Sequence, residues 1–177
     1  MQGEWQRTVG SEGDQPCQFQ NPYELALTTD EDFLLVVDGG NRRVAVLRAL
    51  DGAWVRQLTG PPGTLQYPRG VAVVPSTGEV LVSDVGRHCF IRFRSIDDDT
   101  VVGTLGTGQG SGPTEVNYPF GLAVLDGVLC LVVRVYLNLH PYLTLISIVV
   151  IADSNTFPLF VTTCDGSSSG GPRGRGG

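Results

Sequence analysis

The sequence predicts an all-β protein built from repeated units of four strands, and three observations lead to this prediction. Gly is abundant, at 24 of 177 residues, and Met occurs once, which is typical of a turn-rich β protein rather than a helical one. Short apolar runs are separated by turns of breaker residues. Similar segments also recur along the chain at a fixed distance, which is the signature of a repeat architecture.

Prolines and aspartates anchor the repeat. In the segments FQNPYELALTTDEDFLLVVDGGNRRVAVL and LQYPRGVAVVPSTGEVLVSDVGRHCFIRF, the proline precedes the aspartate by 16 residues. Pro22 and Pro68 are 46 residues apart, and so are Asp38 and Asp84. A period in the mid-forties is typical of the four-stranded blades of a β-propeller.

The elements of each unit follow from local patterns. In the second unit, GVAVV and EVLVSD flank the turn PSTG, and HCFIRFRS alternates apolar and polar residues as a half-buried strand does. The segments DGGN and DVGR place Asp and Gly where a tight turn is needed. A fourth strand is expected at AWVRQLTG after the first unit and at TVVGTLGTG after the second.

The pattern P-x-G-V/L-A-V, followed by an apolar strand that ends in D-x-G-N-x-R-V, resembles the NHL repeat, the blade unit of NHL β-propellers. The matching positions are Pro22, Asp38, Gly40, Asn41, Arg43 and Val44 in the first unit, Pro68, Gly70, Asp84 and Gly86 in the second, and Pro119, Gly121 and Asp153 in a third. In the second unit Arg87 and Cys89 replace the usual Asn and Arg. The resemblance implies a partial β-propeller of four-stranded antiparallel blades, in which these residues are structural.

The resemblance also suggests how the chain is divided. We expect a propeller fragment over residues 4–163, with blades at about 19–60, 65–107 and 116–163 and a disordered Gly/Ser/Arg tail at 165–177. A closed propeller needs about four to eight blades. The chain is therefore interpreted as a fragment of a longer propeller protein. The alternative is self-association of open arcs through their unpaired edge strands.

An apolar insertion at residues 130–149 interrupts the third unit, because Pro119 and Asp153 are 34 residues apart instead of 16. One alternative is a transmembrane helix, the only case in which a membrane would be a partner. Arg134 and His140 within the segment argue against it. A second is an extra β-hairpin, since the residues from Val133 to His140 alternate with period two. A third is a segment foreign to the fold, from a retained intron or a gene-model error.

No residue set points to catalysis, a metal or a cofactor. The four cysteines are far apart, and His88 and His140 have no Cys, His or Asp neighbours at ligand spacing. The net charge of −6 and pI near 4.7 argue against nucleic acid as a partner. The N-terminus has no signal-peptide pattern, so a cytoplasmic location is the default expectation.

The resemblance implies a binding role, because blade turns line one face of NHL propellers and that face binds partners. Arg42, Arg87 and Arg69 are the candidate contacts with another protein, whereas Arg43 is expected to pair with an aspartate such as Asp38. The expected function is therefore a non-enzymatic protein-interaction module. Two alternatives remain: a fragment of a propeller-type hydrolase or lyase, and a substrate- or RNA-recruiting propeller of a ubiquitin-ligase-type protein.

Overall fold

The computed structural model of the chain describes residues 7–106, 108–109, 115–125, 128–136, 144–151 and 160–163, with side chains described as far as residue 124. All regular elements within these residues are strands. His140, Asp153, Cys164 and the predicted tail at 165–177 lie outside the described residues.

Twelve strands form three antiparallel sheets, in each of which hydrogen-bonded neighbours are consecutive in the chain. The first sheet contains β3 (Pro22–Leu27), β4 (Phe33–Asp38), β5 (Arg43–Arg48) and β6 (Trp54–Leu58). The second contains β7 (Pro68–Val73), β8 (Val80–Asp84), β9 (Cys89–Phe93) and β10 (Val101–Leu105). The third contains β11 (Pro119–Leu125), β12 (Val128–Tyr136), β13 (Thr144–Ile151) and β14 (Phe160–Thr163). A short parallel pair, β1 (Ser11–Glu12) and β2 (Gln18–Phe19), precedes them. The predicted fold class, all-β with four-stranded antiparallel blades, is confirmed.

The middle strands of the first two blades are apolar on both faces because each blade is packed between neighbours. In β4, Leu35 and Val37 face a core shared with Val71, Val82 and the rest of the second blade. In the same strand Val36 faces the other way, towards a smaller cluster that includes residues of the β1–β2 segment. This arrangement explains why FLLVVD reads as a continuous apolar run instead of an alternating one.

The second blade is likewise buried on its other face. Ala72, Leu81 and Phe90 pack against Val116 and Leu122, so that a second core lies between the second and third blades. The first strands of the three blades also run side by side, with β7 in contact with both β3 and β11. The described part of the chain is therefore an arc of three blades whose first strands converge.

The insertion at residues 130–149 is divided between two strands of the third blade. β12 pairs with β13 in one uninterrupted register, from Leu129 opposite Ile151 to Tyr136 opposite Thr144. The described parts of the insertion thus lie in two paired strands of the four-stranded blade itself. No helix within the described residues is long and apolar enough to cross a membrane. The hypothesis that the segment comes from a retained intron or a gene-model error stays a prediction.

Candidate protein-binding surface

The register of the blades gathers the repeat motifs at one end of the sheets. Pro22 lies opposite Asp38, Pro68 opposite Asp84, and Pro119 opposite Val133. In the first two blades, the start of the first strand is thereby placed beside the turn that follows the second strand. We call this end of the blades the turn face. Its described residues are 20–23, 39–42, 66–69, 85–88 and 117–120.

The third blade departs from the motif at this position. Its first strand begins at Pro119, as expected, but the residue opposite is Val133. The sequence suggested Asp153 for this place, and Asp153 lies outside the described residues, after the third strand. Within the described residues, the second strand of the third blade continues past Val133 to Tyr136, beyond the point where the other blades turn.

A buried ion pair organises the first blade's part of the turn face. Asp38 is completely buried and Arg43 is 5% exposed. Arg43 Nε donates to Asp38 Oδ2 at 2.8 Å, Asn41 Nδ2 donates to the same oxygen at 2.8 Å, and the Gln20 backbone N–H donates to Oδ1 at 2.7 Å. The motif residues Asp38, Asn41 and Arg43 are therefore one hydrogen-bonded unit that closes the turn.

Arg43 also forms hydrogen bonds with residues 14–18, which precede the first blade. A guanidinium has five N–H donors. Besides Asp38 Oδ2, the acceptors are the backbone carbonyls of Asp14, Gln15 and Gln18, at 2.8, 3.1 and 2.7 Å, and Gln57 Oε1 at 3.1 Å. The guanidinium lies over the Trp54 ring, with 4.9 Å from Cζ to the ring centroid. All of these contacts make Arg43 a structural residue.

The second blade holds its buried aspartate without an arginine. Asp84 is completely buried and accepts backbone N–H bonds from Gln66, Tyr67 and Arg87, at 2.6, 3.1 and 3.0 Å. Cys89 occupies the position opposite Asp84 that Arg43 has opposite Asp38. Burial raises the pKa of the Cys89 thiol, so the thiol form is favoured there.

The three arginines suggested as contacts have different surroundings. Arg42 is exposed, and its side chain makes no hydrogen bond or ion pair with another described residue. Arg87 is exposed, and its Nη1 donates to the Gly63 carbonyl oxygen at 2.9 Å. Arg69 is half-buried between aromatic rings. All three lie on the turn face.

Three tyrosines, which the sequence did not single out, flank these arginines. Tyr23, Tyr67 and Tyr118 are 46%, 58% and 38% exposed. Each tyrosine is adjacent in sequence to a motif proline. This recurring position beside the proline is the sequence pattern that could have identified them. Tyr and Arg are the side chains most enriched among residues that dominate binding energy at protein interfaces.

The residue after each motif proline forms a row across the three blades. Cζ of Arg69 lies 3.7 Å from the Tyr23 ring centroid and 5.8 Å from the Phe120 ring centroid. Such distances are within the range of cation–π attraction. Each residue of the row starts the first strand of its own blade, so the convergence of these strands produces the contact.

Glu24 joins all three blades. Its Oε2 accepts a hydrogen bond from the Val71 N–H at 3.2 Å, and the backbone N–H of Leu122 also donates to the carboxylate. Burial raises the pKa of this carboxyl above its ordinary value, an effect partly opposed by the two N–H donors. Glu24 occupies the repeat position that is Gly70 in the second unit and Gly121 in the third. An acidic residue at a position that is otherwise glycine is the sequence feature that could have identified Glu24.

An apolar groove of about 390 Å³ lies beside Glu24, along the converging first strands. Leu25 and Leu27 of β3 line one side and are 60% and 52% exposed. Val71, Val73 and residues of β11 line the rest. Within the described residues, no group of three or more His, Cys, Asp or Glu side chains is placed to hold a metal ion.

Comparisons with known proteins agree with this architecture. The NHL repeat family matches residues 65–93, the second blade from before β7 to the end of β9. The chain contains an NHL repeat. No curated protein sequence matches the chain. The matched blade is one of the two units in which the sequence resembles the NHL repeat strongly, the one with Arg87 and Cys89 at the last two motif positions.

Two solved β-propeller structures resemble the arc that contains the NHL repeat. Kuenenia stuttgartiensis hydrazine synthase aligns with a TM-score of 0.55 at 12% identity, covering 85% of this chain and 40% of that one. A luciferin-regenerating enzyme aligns with a TM-score of 0.51 at 16% identity, covering 71% of this chain and 42% of that one. At these identities the likeness shows the fold alone. The chain spans less than half the length of either protein.

Proposed function

We propose that the chain is a protein-interaction module whose turn face binds another protein. The observation that carries this proposal is the exposed group of tyrosines and arginines on one end of the blades. Tyr67, 58% exposed, lies against the turn that carries Arg87, Tyr23 lies against the turn that carries Arg42, and Tyr118 is on the same face. Rigid aromatic rings next to guanidinium groups form interface anchors at small entropic cost.

The rigidity of the turn face supports the same role. Asp38 and Asp84 are completely buried beneath it and hold the turns through backbone and side-chain hydrogen bonds. His88 is part of this framework, because its Nδ1 accepts a hydrogen bond from the Tyr118 N–H at 3.3 Å and its ring meets the Tyr118 ring edge-on. A surface that does not rearrange on binding loses less conformational entropy.

The two similar solved structures are enzymes by name, and this does not assign a reaction to the present chain. The likeness rests on 12% and 16% identity and reports the fold. Propeller folds carry many unrelated functions, so the role is inferred from the surface. The binding function is favoured because half of the ten exposed residues described on the turn face are tyrosines or arginines.

The test compares two double variants of the full chain in quantitative affinity capture. The turn-face variant is Arg42→Ala with Tyr67→Ala. The control, Leu50→Ala with Arg94→Ala, removes one large apolar side chain and one arginine from turns at the opposite end of the blades. Leu50 is 85% exposed and the Arg94 side chain 60% exposed. Both variants remove exposed atoms, so neither should change the fold.

The expected result is a protein captured by the wild type and the control, and captured about tenfold less or not at all by the turn-face variant. The purified captured protein should then show the same order of Kd values. Equal capture by the two variants, or loss with the control variant only, would overturn the proposal.

A further inference from the structure

We propose that Arg69 binds a carboxylate of an acidic segment in the partner protein. The inference deepens the proposed function and rests on it. Arg69 occupies the centre of the row formed by Tyr23, Arg69 and Phe120, where the first strands of the three blades converge. It is thus the cation at the middle of the turn face.

The Arg69 guanidinium is stacked but not hydrogen-bonded. Its Nε is buried without a hydrogen-bond partner, and its terminal nitrogens make no hydrogen bond with any other described residue. Cation–π contact engages the flat faces of the guanidinium and leaves its N–H edge unused. A half-buried cation with unused donors costs free energy until an acceptor arrives. A carboxylate fits that edge because two parallel N–H···O bonds match its geometry.

Glu24, the acidic residue next to Tyr23 on β3, is not the carboxylate that Arg69 binds. The Glu24 carboxylate is engaged by the backbone N–H groups of Val71 and Leu122. None of the ion pairs among the described residues includes Arg69. Glu24 thus uses its carboxylate on backbone donors, and the N–H groups of Arg69 remain available to a carboxylate from the partner.

The apolar groove adds a second requirement for the bound segment. It lies on the same strand as Arg69, where Val71 and Val73 line it. A rise of about 3.3 Å per residue places these valines about 7 and 13 Å from Arg69 along β7. An extended segment with an acidic residue, followed two to four residues later by an apolar one, meets both requirements. The three turn-face arginines make the surface locally basic in a chain whose net charge is −6.

The test titrates the full chain with two synthetic pentapeptides and follows the Arg69 Nε–Hε resonance by NMR. One acetylated, amidated peptide has glutamate second and leucine fourth among glycines, and its twin has glutamine second. Inorganic phosphate is the third probe. We expect the glutamate peptide to shift the Arg69 resonance and to bind about tenfold or more tightly than the glutamine peptide. Arg69→Gln should abolish this preference, and Arg94→Gln, at the opposite end of the blades, should keep it.

Three results would overturn the inference. Equal binding of the two peptides would show that no carboxylate is recognised. A shift with phosphate but with neither peptide would assign Arg69 to a phosphate ligand. If Arg69→Gln does not fold, the wild-type resonance still decides, since it requires no variant. Capture of the partner that is lost with the Arg42 and Tyr67 double variant but unchanged in Arg69→Gln would overturn this inference alone and leave the proposed function intact.

Discussion

Arg43 in the first blade and Cys89 in the second occupy equivalent positions, each directly opposite a completely buried aspartate. Arg43 neutralises Asp38 through a 2.8 Å contact, whereas Asp84 is held by three backbone N–H groups. The same turn is therefore closed by an ion pair in one blade and by amide dipoles in the next. Two tests of stability depend on this difference.

Removing Arg43 should be strongly destabilising. Arg43→Met leaves Asp38 buried without its countercharge and releases three backbone carbonyls of the preceding segment. Breaking one side of a buried ion pair costs about 3–5 kcal/mol, and we expect a loss of this size in the free energy of unfolding measured in urea. The control is Arg48→Met, whose pair with Asp51 is exposed and screened by solvent, so that its loss should change the free energy of unfolding little. Equal losses would contradict the structural role of Arg43.

Asp84 should tolerate amidation better than truncation. Asp84→Ala leaves three N–H donors in the turn without an acceptor, and each unsatisfied buried group costs about 1–3 kcal/mol. Asp84→Asn removes the charge and one of the two accepting oxygens, but its remaining oxygen can still accept from the Tyr67 and Arg87 N–H groups. Thermal unfolding should therefore rank the variants wild type, Asn and Ala in order of falling stability. The reverse order of the two variants would show that the N–H groups do not depend on this oxygen.

Gly70 should not accept even a methyl group. A Cβ at this position would meet the Phe120 carbonyl oxygen, the Glu24 carboxylate and Ser83 Oγ at once. Overpacking of this kind costs about 1–3 kcal/mol, so Gly70→Ala should lower the free energy of unfolding by that amount. Gly103→Ala is the matched control, because its Cβ would meet only Arg92, at 3.8 Å. A neutral Gly70→Ala would contradict the close packing of the three first strands.

Glu24 should make the chain less stable as the pH rises. Its pKa is raised in the folded state above 4.5, so the folded state binds a proton more tightly than the unfolded one. Its contribution is fully present below pH 4.5 and is lost as the pH rises through the folded pKa. Glu24→Gln should therefore unfold at higher urea than the wild type at pH 7, with a smaller difference at pH 4.

Asp51 is the control of opposite sign for this pH dependence. Hydrogen bonds from Arg48 and from the Ala53 N–H lower its pKa to about 2. Its contribution is present above the ordinary carboxyl pKa and falls as the pH approaches 2. Asp51→Asn should flatten the acid limb of the stability curve and leave the Glu24 effect unchanged. A Glu24→Gln difference that grows towards low pH would contradict the burial of Glu24.

The parts of the fold that depend on local pattern could be predicted from the sequence. The spacing of Pro22 and Asp38, repeated at Pro68 and Asp84, sets the register because each proline lies opposite its aspartate. The structure also places Arg43 against Asp38, as the motif suggested. These features need only the residues of one blade.

The parts that depend on contacts between blades could not be predicted in this way. In the sequence, Glu24 is a polar residue that interrupts an apolar strand. Its N–H donors come from Val71 and Leu122, 47 and 98 positions away, and only the packed blades bring them together. The stacking of Arg69 between two aromatic rings likewise requires three blades to converge. In the third blade the apolar period continues through Val133, so the sequence could not show where the second strand ends.

The most direct test of the turn face as the binding surface is hydrogen–deuterium exchange of the full chain with and without the captured partner. The partner should slow exchange in the turn-face segments 39–42, 66–69 and 85–88 and leave the opposite-end segments 49–53 and 94–100 unchanged. Protection confined to the opposite-end segments, or equal at the two ends, would contradict the assignment of binding to the turn face.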